Sequence, residues 1–498
     1  MISNARIADE LSLAGHDVTL LEIDMLNITS MKSAKHAKRR IITGMQGSTQ
    51  FKSVLMGFSA NVMDDVSAYD QSKGFYDYQL AFNAVCEEFL ENQEVFEDMK
   101  AEKFDAFFGE QLNMCGFGYA HALGIPRRFL ISSCPMNGAS YDLINLPMAT
   151  SVVPMSGDFG ENPTYFQRAS NLFKTVIQLF TFRVTNSYLT DIFRAKFSQD
   201  FPSILDIVRD ADFTFVATDE IIDFSAPTLQ NVLHVGGLGV GSSAKAELPE
   251  PYTSEMQKGK NGVIYFSLGT IANTTRLPNQ ALESFLAIAQ RFQDYHFLIR
   301  ADKYDTNTFQ KAKGIENVLV SDWLPQPAIL QHPRLRLFIT HAGYNSIVET
   351  ARSGVPLILI PFMFDQNLNS RAIEKKGWGI RRTKDQLLTN PGAIEQAIQE
   401  ILSNPKYTKN AHRIRDLIAT KPQSSTERFI KTVEWVIKND GIPELLFEGR
   451  NTNTIVYYNL DIIVPIFVLV TCFIIPTLVG WYVWSCVGHL TEKKQKFE

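Results

Sequence analysis

The chain has 498 residues, of which 45% are hydrophobic and 20% charged, so it is globular and long enough for two or three domains. A net charge of -5 leaves no overall basic surface, which argues against nucleic acid as a partner. The five cysteines match no zinc spacing and are too few for a disulfide framework. One pair among Cys86, Cys115 and Cys134 is compatible with a disulfide.

The first predicted elements are a helix and a strand. Ile7 and Leu11 recur at helical spacing, Gly15 suits the left-handed end of a helix, and residues 18–23 form an apolar run of strand length. A parallel sheet would need a strand before this helix, and no apolar segment serves as a secretory signal. We therefore expect that the recorded sequence lacks its natural N-terminus.

Helix and strand patterns alternate along the rest of the chain. In the first half, strands are predicted at 104–110, 127–133 and 213–219. A stretch rich in Gly, Ser and Pro at 234–251 is interpreted as a linker. In the second half, apolar strands at 263–268, 296–300, 318–326, 335–341 and 356–362 alternate with helices such as 346–354. This alternation predicts an α/β fold with a parallel, doubly wound sheet.

The clearest physical signal lies near the C-terminus. Residues 462–487 contain neither an acid nor a base, which is long enough for a helix to cross a bilayer. Lysines follow at 493, 494 and 496, whereas Asp461 and Glu448 precede the stretch. By the positive-inside tendency, the tail is cytosolic and the body extracytosolic. The predicted segments are domains at 1–240 and 241–440, a juxtamembrane part at 441–461, a transmembrane helix at 462–487 and a tail at 488–498.

The segment LFITHAGYNSIVE, residues 337–349, carries the first chemical signal. A strand delivers His341, a turn follows at Gly343, and Asn345 and Ser346 open a helix. A helix start offers unpaired N–H groups and the positive end of the dipole, so it suits phosphate oxygens. Glu349 lies on the same helical face and could accept hydrogen bonds from ribose hydroxyls. The plain alternative is an ordinary helix cap formed by Asn345 or Ser346.

Two neighbouring strand ends carry matching chemistry. DWLPQ places Trp323 and Gln326 on one loop, where an indole face suits a nucleobase and an amide suits sugar or base edges. PFMFDQ places Asp365 and Gln366 on another, suited to the hydroxyls of a hexose. Alone, Trp323 could be a core aromatic and Asp365 a helix cap. Together with the helix start, these residues predict a nucleotide-sugar site.

These motifs resemble those of a known family. WLPQ, HAGYNSIVE and GVPLILIPFMFDQ closely resemble the signature of the UDP-glycosyltransferases, which include membrane-bound glucuronosyl- and glucosyltransferases. The likeness runs from RIADELSLAGHDVT near the start, through FSLGT, to the C-terminal span, so it covers essentially the whole chain. It implies two facing Rossmann-like domains of the GT-B type, with the active site between them, and one transmembrane helix.

The resemblance also implies an activity. The expected reaction transfers a hexosyl group, glucose or glucuronic acid, from a UDP-sugar to a hydroxyl of a small lipophilic acceptor, in a detoxification role. Transfer would proceed with inversion, without a metal and without a cofactor. The donor contacts carried over by matching positions are Thr270, Arg300, Trp323, Gln326, His341, Gly343, Asn345, Ser346, Glu349, Asp365 and Gln366. Of these, Trp323 would stack on uracil, and Asp365 and Gln366 would read the sugar.

The catalytic pair is only half visible in the sequence. By the resemblance, the base is a histidine that would fall immediately before Met1, and its partner acid is Glu110, where many relatives carry Asp. The plain alternative for Glu110 is a solvated acid at a strand end. His16 lies roughly 15 Å from where a base is wanted, because ten helical residues separate the two. The pair Asp210 and Asp212 is remote from the nucleotide motifs and is interpreted as incidental.

Two hypotheses follow. In the first, the natural protein is a transferase of the endoplasmic reticulum membrane, with a lumenal body, and the tail KQKFE resembles lysine-based retrieval signals. In the second, the chain is a relative without a base that binds UDP-sugar or a lipophilic ligand without turnover. A nucleotide-sugar epimerase is a third option, disfavoured by the membrane anchor. Assembly into a homo-oligomer is compatible with the sequence.

Overall fold

The computed structural model describes residues 2–25, 34–60, 68–155, 157, 159–160, 162–239, 248–269 and 274–495. The chain forms two compact units, Met1–Leu446 and Phe447–Glu498. The strands of the described part are β1 (Thr19–Ile23), β2 (Lys38–Ile42), β3 (Ala106–Glu110), β4 (Arg127–Ser132), β5 (Phe213–Val216), β6 (Val232–His234), β7 (Gly262–Ser267), β8 (Tyr295–Arg300), β9 (Val318–Ser321), β10 (Leu335–Thr340), β11 (Leu357–Leu359) and β12 (Gly379–Arg381).

The α-helices of the described part are α1 (Ile2–Leu13), α2 (Gly47–Ala60), α3 (Ala68–Leu90), α4 (Gln93–Ala101), α5 (Cys115–Ala122), α6 (Gly138–Leu143), α7 (Tyr165–Lys196), α8 (Ile204–Arg209), α9 (Tyr252–Glu255), α10 (Asn279–Arg291), α11 (Thr306–Ala312), α12 (Gln326–Gln331), α13 (Tyr344–Ser353), α14 (Gln366–Lys375), α15 (Lys384–Thr389), α16 (Pro391–Ser403), α17 (Pro405–Ala419), α18 (Ser425–Lys438), α19 (Thr454–Tyr457), α20 (Leu460–Leu469) and α21 (Ile475–Gln495).

The first half of the larger unit contains two parallel sheets. β1 pairs with β2, and a second sheet has the order β3-β4-β5-β6. The predicted helix at the start is α1, which ends just before Gly15, whose φ of 98° is left-handed. Ile7 and Leu11 are buried against the sheet that contains Phe129 and Phe215. The strands predicted at 104–110, 127–133 and 213–219 correspond to β3, β4 and β5.

The second half is built on a six-stranded sheet of order β12-β11-β10-β7-β8-β9, in which every pairing is parallel. One face packs on α10 and α16 through residues such as Phe285 and Ile398, and the other packs on α13 and α17 through Ile347 and Ile414. The sheet is therefore doubly wound, as predicted. Chain order reverses between β7 and β10, so the carboxyl ends of these two strands mark the switch point where such folds bind ligands.

The last helix of the larger unit returns to the first half. α18 packs Phe429 and Val433 onto Phe129 and Phe215 of the β3-β4-β5-β6 sheet. At its first residue, the Ser425 hydroxyl donates a 2.8 Å hydrogen bond to the carbonyl of Gly236. This helix lies within the range predicted for the second domain, yet its apolar face completes the core of the first.

A disulfide links Cys86 of α3 to Cys115 of α5, with a Cα separation of 5.9 Å. Cys134 is a free thiol. The structure thus selects one of the pairings that the sequence left open, because only these two side chains meet when α3 packs beside the start of α5.

The smaller unit contains the apolar C-terminal segment. Leu460–Ser485 is long and apolar enough, by length and composition, to cross a membrane, and its side chains are exposed. The segment comprises α20, a π-helical turn at Val470–Ile474 and the first part of α21. The predicted span at 462–487 agrees with it to within two residues. Trp481 and Trp484 are exposed near its end, where interfacial aromatics are expected.

Candidate functional site

The imidazole of His341 lies between two glycines at the switch point. Gly269 follows β7, His341 follows β10, and Gly343 precedes α13. A Cβ added at Gly269 would lie 2.5 Å from Cε1 of His341, and one added at Gly343 would overlap Nε2 of the same ring. Both positions must therefore lack a side chain for the histidine to occupy this place.

The electrostatic surroundings keep this histidine neutral. Burial, followed by the nearby charge of Arg300, lowers the pKa of His341 to about 4. The Arg300 guanidinium is held in place because it donates to the carbonyl of Gly269. A neutral imidazole has one N–H donor and one acceptor nitrogen. At neutral pH, His341 can therefore donate a hydrogen bond to an anion without carrying a charge itself.

The start of α13 is free of a side-chain cap. Gly343 occupies the N-cap position and makes no capping hydrogen bond, and the helix runs from Tyr344 to a left-handed C-cap at Gly354. Asn345 and Ser346 lie in the first turn rather than at the cap, so the plain alternative of a self-satisfied helix start is wrong. The first N–H groups of α13 point toward the loop after β10, as an anion site requires.

Gln326, Ser346 and Glu349 meet beside this helix start. Gln326, the first residue of α12, donates from Nε2 to Glu349 Oε2 at 2.8 Å and to Ser346 Oγ at 3.2 Å. Its own Oε1 accepts from the Tyr265 hydroxyl at 3.2 Å. The structure thus brings together three residues predicted to hold the nucleotide. Tyr265 was missed by the sequence analysis because it reads as one more apolar residue of a buried strand.

Trp323 presents its indole to solvent. Its side chain is 66% exposed, although its carbonyl is held by the Tyr252 hydroxyl at 2.7 Å and the Ser321 hydroxyl at 2.8 Å. The alternative interpretation as a core aromatic is therefore wrong. An indole fixed through its backbone, with a free face, is suited to stacking on a planar ring.

Asp365 and Gln366 begin α14 but have different surroundings. Asp365 occupies the N-cap position of α14, but its carboxylate makes no capping hydrogen bond. It accepts instead a 2.7 Å hydrogen bond from Nδ2 of Asn369. Burial raises the pKa of Asp365. Gln366 Oε1 accepts from the backbone N–H groups of Phe362 and Met363 at 2.9 and 3.1 Å. Asn369, four residues after Asp365 on the same helical face, was missed although its spacing could have identified it.

Glu110 ends β3 and is partly buried, with both carboxylate oxygens hydrogen-bonded, so the alternative of a solvated strand-end acid is wrong. Its carboxylate accepts from the Ser133 hydroxyl, from the Ser133 N–H at 3.2 Å and from the Gln111 N–H at 3.1 Å. Burial raises its pKa, and the bonds from Ser133 oppose that rise. After burial, the charges of Asp365 and Glu110 raise the pKa of the Cys134 thiol. Cys134 thus lies within electrostatic reach of both predicted acids.

The other residues considered from the sequence lie outside the proposed nucleotide site or outside the described part of the chain. Thr270 lies outside the described residues. Asp212 binds Arg127 at 3.2 Å and the N–H of Arg128 at 3.0 Å, which is a structural role. His16 Nε2 lies 3.4 Å from Glu434, in the turn after α1. In the part of the chain that the structure describes, no group of three or more His, Cys, Asp or Glu residues is placed to hold a metal ion.

Solved structures with the same architecture identify the class of fold. The glycosyltransferase VinC in complex with dTDP matches with a TM-score of 0.58 and 14% identity, over 88% of this chain and 96% of that one. Phytolacca americana UGT2, complexed with UDP-2-fluoro-glucose and pterostilbene, matches with a TM-score of 0.57 and 15% identity, again over 88% and 96%. The fold is that of the GT-B glycosyltransferases.

The chain belongs to the UDP-glucuronosyl and UDP-glucosyl transferase family, whose model matches residues 1–496. It is 58% identical over 497 residues to Caenorhabditis elegans ugt-46, described as a candidate UDP-glucuronosyltransferase, with 100% of this chain and 93% of the relative covered. Human UDP-glucuronosyltransferase 1A6 is 23% identical over 470 residues, covering 93% of this chain and 85% of the human protein. The resemblance inferred from the motifs is confirmed, and the protein is a glycosyltransferase.

Proposed function

We propose that the protein transfers a glucosyl or glucuronosyl group from a UDP-sugar to a hydroxyl of a small lipophilic acceptor, by a single displacement that inverts the anomeric carbon. The observation that carries this proposal is the arrangement at the start of α13. A neutral His341, an uncapped helix start and the Gln326–Glu349 pair lie together at the switch point of the sheet. Phosphates and a ribose are the groups that this arrangement suits.

The nucleoside would bind along α12 and α13. Trp323 would stack on uracil. Glu349 would accept hydrogen bonds from the ribose hydroxyls, and Gln326 would hold the Glu349 carboxylate in place through its hydrogen bond to Oε2. The diphosphate would lie at the N-terminus of α13, against His341, Gly343, Asn345 and Ser346. Arg300 is held behind His341 by its bond to Gly269 and would add positive potential. These donors would neutralise the charge that develops on departing UDP, so the proposed reaction needs no metal or cofactor.

The sugar would lie between Asp365 on one side and Glu110 on the other. The charges of both acids raise the pKa of the Cys134 thiol after burial, which supports the placing of Cys134 near this part of the site. Glu110 would orient the histidine base that the family resemblance implies, and that histidine would take the acceptor proton. Burial raises the pKa of Tyr78 to about 12, with smaller contributions from Cys134 and Glu110. Tyr78 packs against the buried rings of Phe51 and Phe82 in tilted and edge-to-face contacts, and this cluster would support the apolar wall for a lipophilic acceptor.

The proposed cellular location is the membrane of the endoplasmic reticulum. Within the part of the chain that the structure describes, one helical segment, Leu460–Ser485, is long and apolar enough to span a bilayer. Three lysines beyond it, at 493, 494 and 496, favour a cytosolic tail and a lumenal body. A membrane-bound enzyme would meet lipophilic acceptors where they concentrate.

The direct test is nucleotide binding by the full chain in detergent or nanodiscs, comparing the natural protein with Trp323→Ala. Loss of base stacking is worth about 1–3 kcal/mol, so we expect UDP affinity to fall about 5- to 150-fold in the variant. Trp435→Ala is a matched control, because Trp435 is also exposed but packs on Phe213. Equal UDP affinity in the natural protein and in Trp323→Ala would show that Trp323 does not stack on uracil.

Turnover is tested separately, by incubating the full chain with labelled UDP-glucose or UDP-glucuronic acid and a panel of phenols and aliphatic alcohols. A glycosylated acceptor with inverted configuration is the expected product. Binding of UDP without any product would instead support a ligand-binding relative, and an epimerised nucleotide without a glycoside would support an epimerase.

A further inference from the structure

The side chain of Arg6 reaches from the first half of the chain into the nucleotide site of the second half. Arg6 lies on α1, and its Nη2 is 3.4 Å from Glu349 Oε1 on α13. Its Nη1 is 3.4 Å from Oδ1 of Asn345. The Glu349 side chain is 10% exposed and that of Arg6 26%, so water screens this pair less than an ordinary surface pair.

Arg6 completes the support of the Glu349 carboxylate. One oxygen, Oε2, accepts from Gln326 at 2.8 Å, and the other, Oε1, faces Arg6. A carboxylate has about four lone-pair positions, so these two donors leave acceptor capacity for two further hydroxyl groups. With both oxygens engaged, the plane of the carboxylate is fixed relative to α13. Neither donor alone would prevent rotation about the last side-chain torsion.

The segment that joins the two halves is shaped around the stem of Arg6. Gly239 has a φ of 65°, and a Cβ there would lie 2.8 Å from Cβ of Arg6 and 3.0 Å from its Cγ. The aliphatic part of the side chain therefore passes directly against this glycine. Its path toward α13 is set by backbone packing, which indicates a built contact rather than an incidental surface encounter.

We infer that Arg6 is a positioning residue for the nucleotide, contributed by the first half of the chain. It acts through Glu349, whose carboxylate it holds in the orientation that accepts the two ribose hydroxyls, and through Asn345 at the diphosphate end. This inference rests on the proposed function, because it takes UDP as the bound nucleotide. Ribose recognition in the second half then depends on a residue from the first half.

The test compares the binding of UDP and of 2′,3′-dideoxy-UDP by calorimetry in the full chain. In the natural protein, we expect UDP to bind more tightly than its dideoxy analogue. In Arg6→Ala, UDP affinity should fall about tenfold, while affinity for the analogue, which has no hydroxyls for Glu349, should change less. Arg6→Lys should restore part of the preference, since a lysine keeps the charge but loses the planar fork.

Arg40→Ala is the matched control, because Arg40 pairs with Asp98 at 2.8 Å on another surface of the first half. Equal losses for both nucleotides in Arg6→Ala would show a purely structural role and overturn the inference. Unchanged UDP affinity, or tighter binding because Arg6 competes with the ribose, would overturn it as well. Failure of the natural protein to bind UDP at all would instead count against the proposed function.

Discussion

Asn369 on α14 donates from Nδ2 to the carbonyl of Ala342 at 3.0 Å and to Asp365 Oδ2 at 2.7 Å. Ala342 lies in the turn between His341 and the start of α13, and its φ of 67° is left-handed, which costs a residue with a Cβ about 1 kcal/mol or more. One buried amide therefore ties the strained turn at the proposed phosphate site to the acid at the proposed sugar site.

Asn369→Ala should lower both stability and donor affinity. The Ala342 carbonyl would lose its partner, and leaving such a buried group unsatisfied costs about 1–3 kcal/mol of unfolding free energy. The freed turn would also hold His341 less precisely, so UDP should bind several-fold more weakly. Asn410→Ala is the control, because Asn410 donates to the Gly377 carbonyl at 2.8 Å in a different region. Urea denaturation and calorimetry would measure the two effects. A stable variant with normal UDP affinity would contradict this role.

Gly343→Ala should weaken nucleotide binding with a smaller effect on stability. The φ of Gly343 is -65°, which alanine adopts readily, but the added methyl would overlap Nε2 of His341. The ring would have to leave its place, and we expect UDP affinity to fall at least tenfold, or about 1.4 kcal/mol. Gly57→Ala is the control, since nothing lies within 4 Å of its added Cβ. Isothermal titration with UDP checks this, and equal affinity in the two variants would exclude His341 from the phosphate site.

Stability should depend on pH through Asp223. Burial raises the pKa of this carboxyl to about 7, and its bonds with Thr218 and Tyr344 oppose the rise. Because the folded form keeps its proton more firmly than the unfolded chain, this contribution to stability is complete below about pH 4. It is lost as the pH rises toward and through 7. Asp223→Asn should remove that dependence.

Urea denaturation at pH 5 and pH 8 measures this effect. The natural protein should lose more unfolding free energy between the two values than Asp223→Asn does. Asp294→Asn is the control, since Asp294 is exposed. Identical pH profiles for the natural protein and Asp223→Asn would show that Asp223 ionises normally in the fold.

Replacing Lys494 and Lys496 by alanine should redistribute the protein from the endoplasmic reticulum toward the cell surface, if the tail KQKFE acts as a retrieval signal. Fluorescence microscopy and surface biotinylation would report the change. Lys438→Ala, on α18 of the larger unit, is the control for a lost surface charge. An unchanged location of the double variant would refute the retrieval role.

The second half of the fold was predictable because its strands are buried on both faces. Such strands appear as continuous apolar runs, as in VIYFSL, and the polar residues that interrupt them mark the strand ends. His341, Trp323 and Asp365 stand out for that reason. The parallel, doubly wound sheet followed from the alternation of strands and helices, whereas the strand order that places the switch point between β7 and β10 did not.

Contacts between distant parts of the chain were not predictable. Arg6 and Glu349 are 343 residues apart, and no local pattern distinguishes Arg6 from any other arginine on a helix surface. The return of α18 to the first sheet was hidden for a similar reason, because an amphipathic helix does not reveal which sheet it covers. Sequence spacing likewise gave no basis for choosing Cys115 over Cys134 as the partner of Cys86.

Because α18 returns to the first sheet, the chain passes between the halves twice, once after Gly236 and once before Ser425. These two crossing points are bonded to each other at 2.8 Å. With the two connections held together in this way, relative movement of the halves is restrained where the chain crosses between them. Any movement that separated the halves would also have to break the 3.4 Å contact of Arg6 with Glu349.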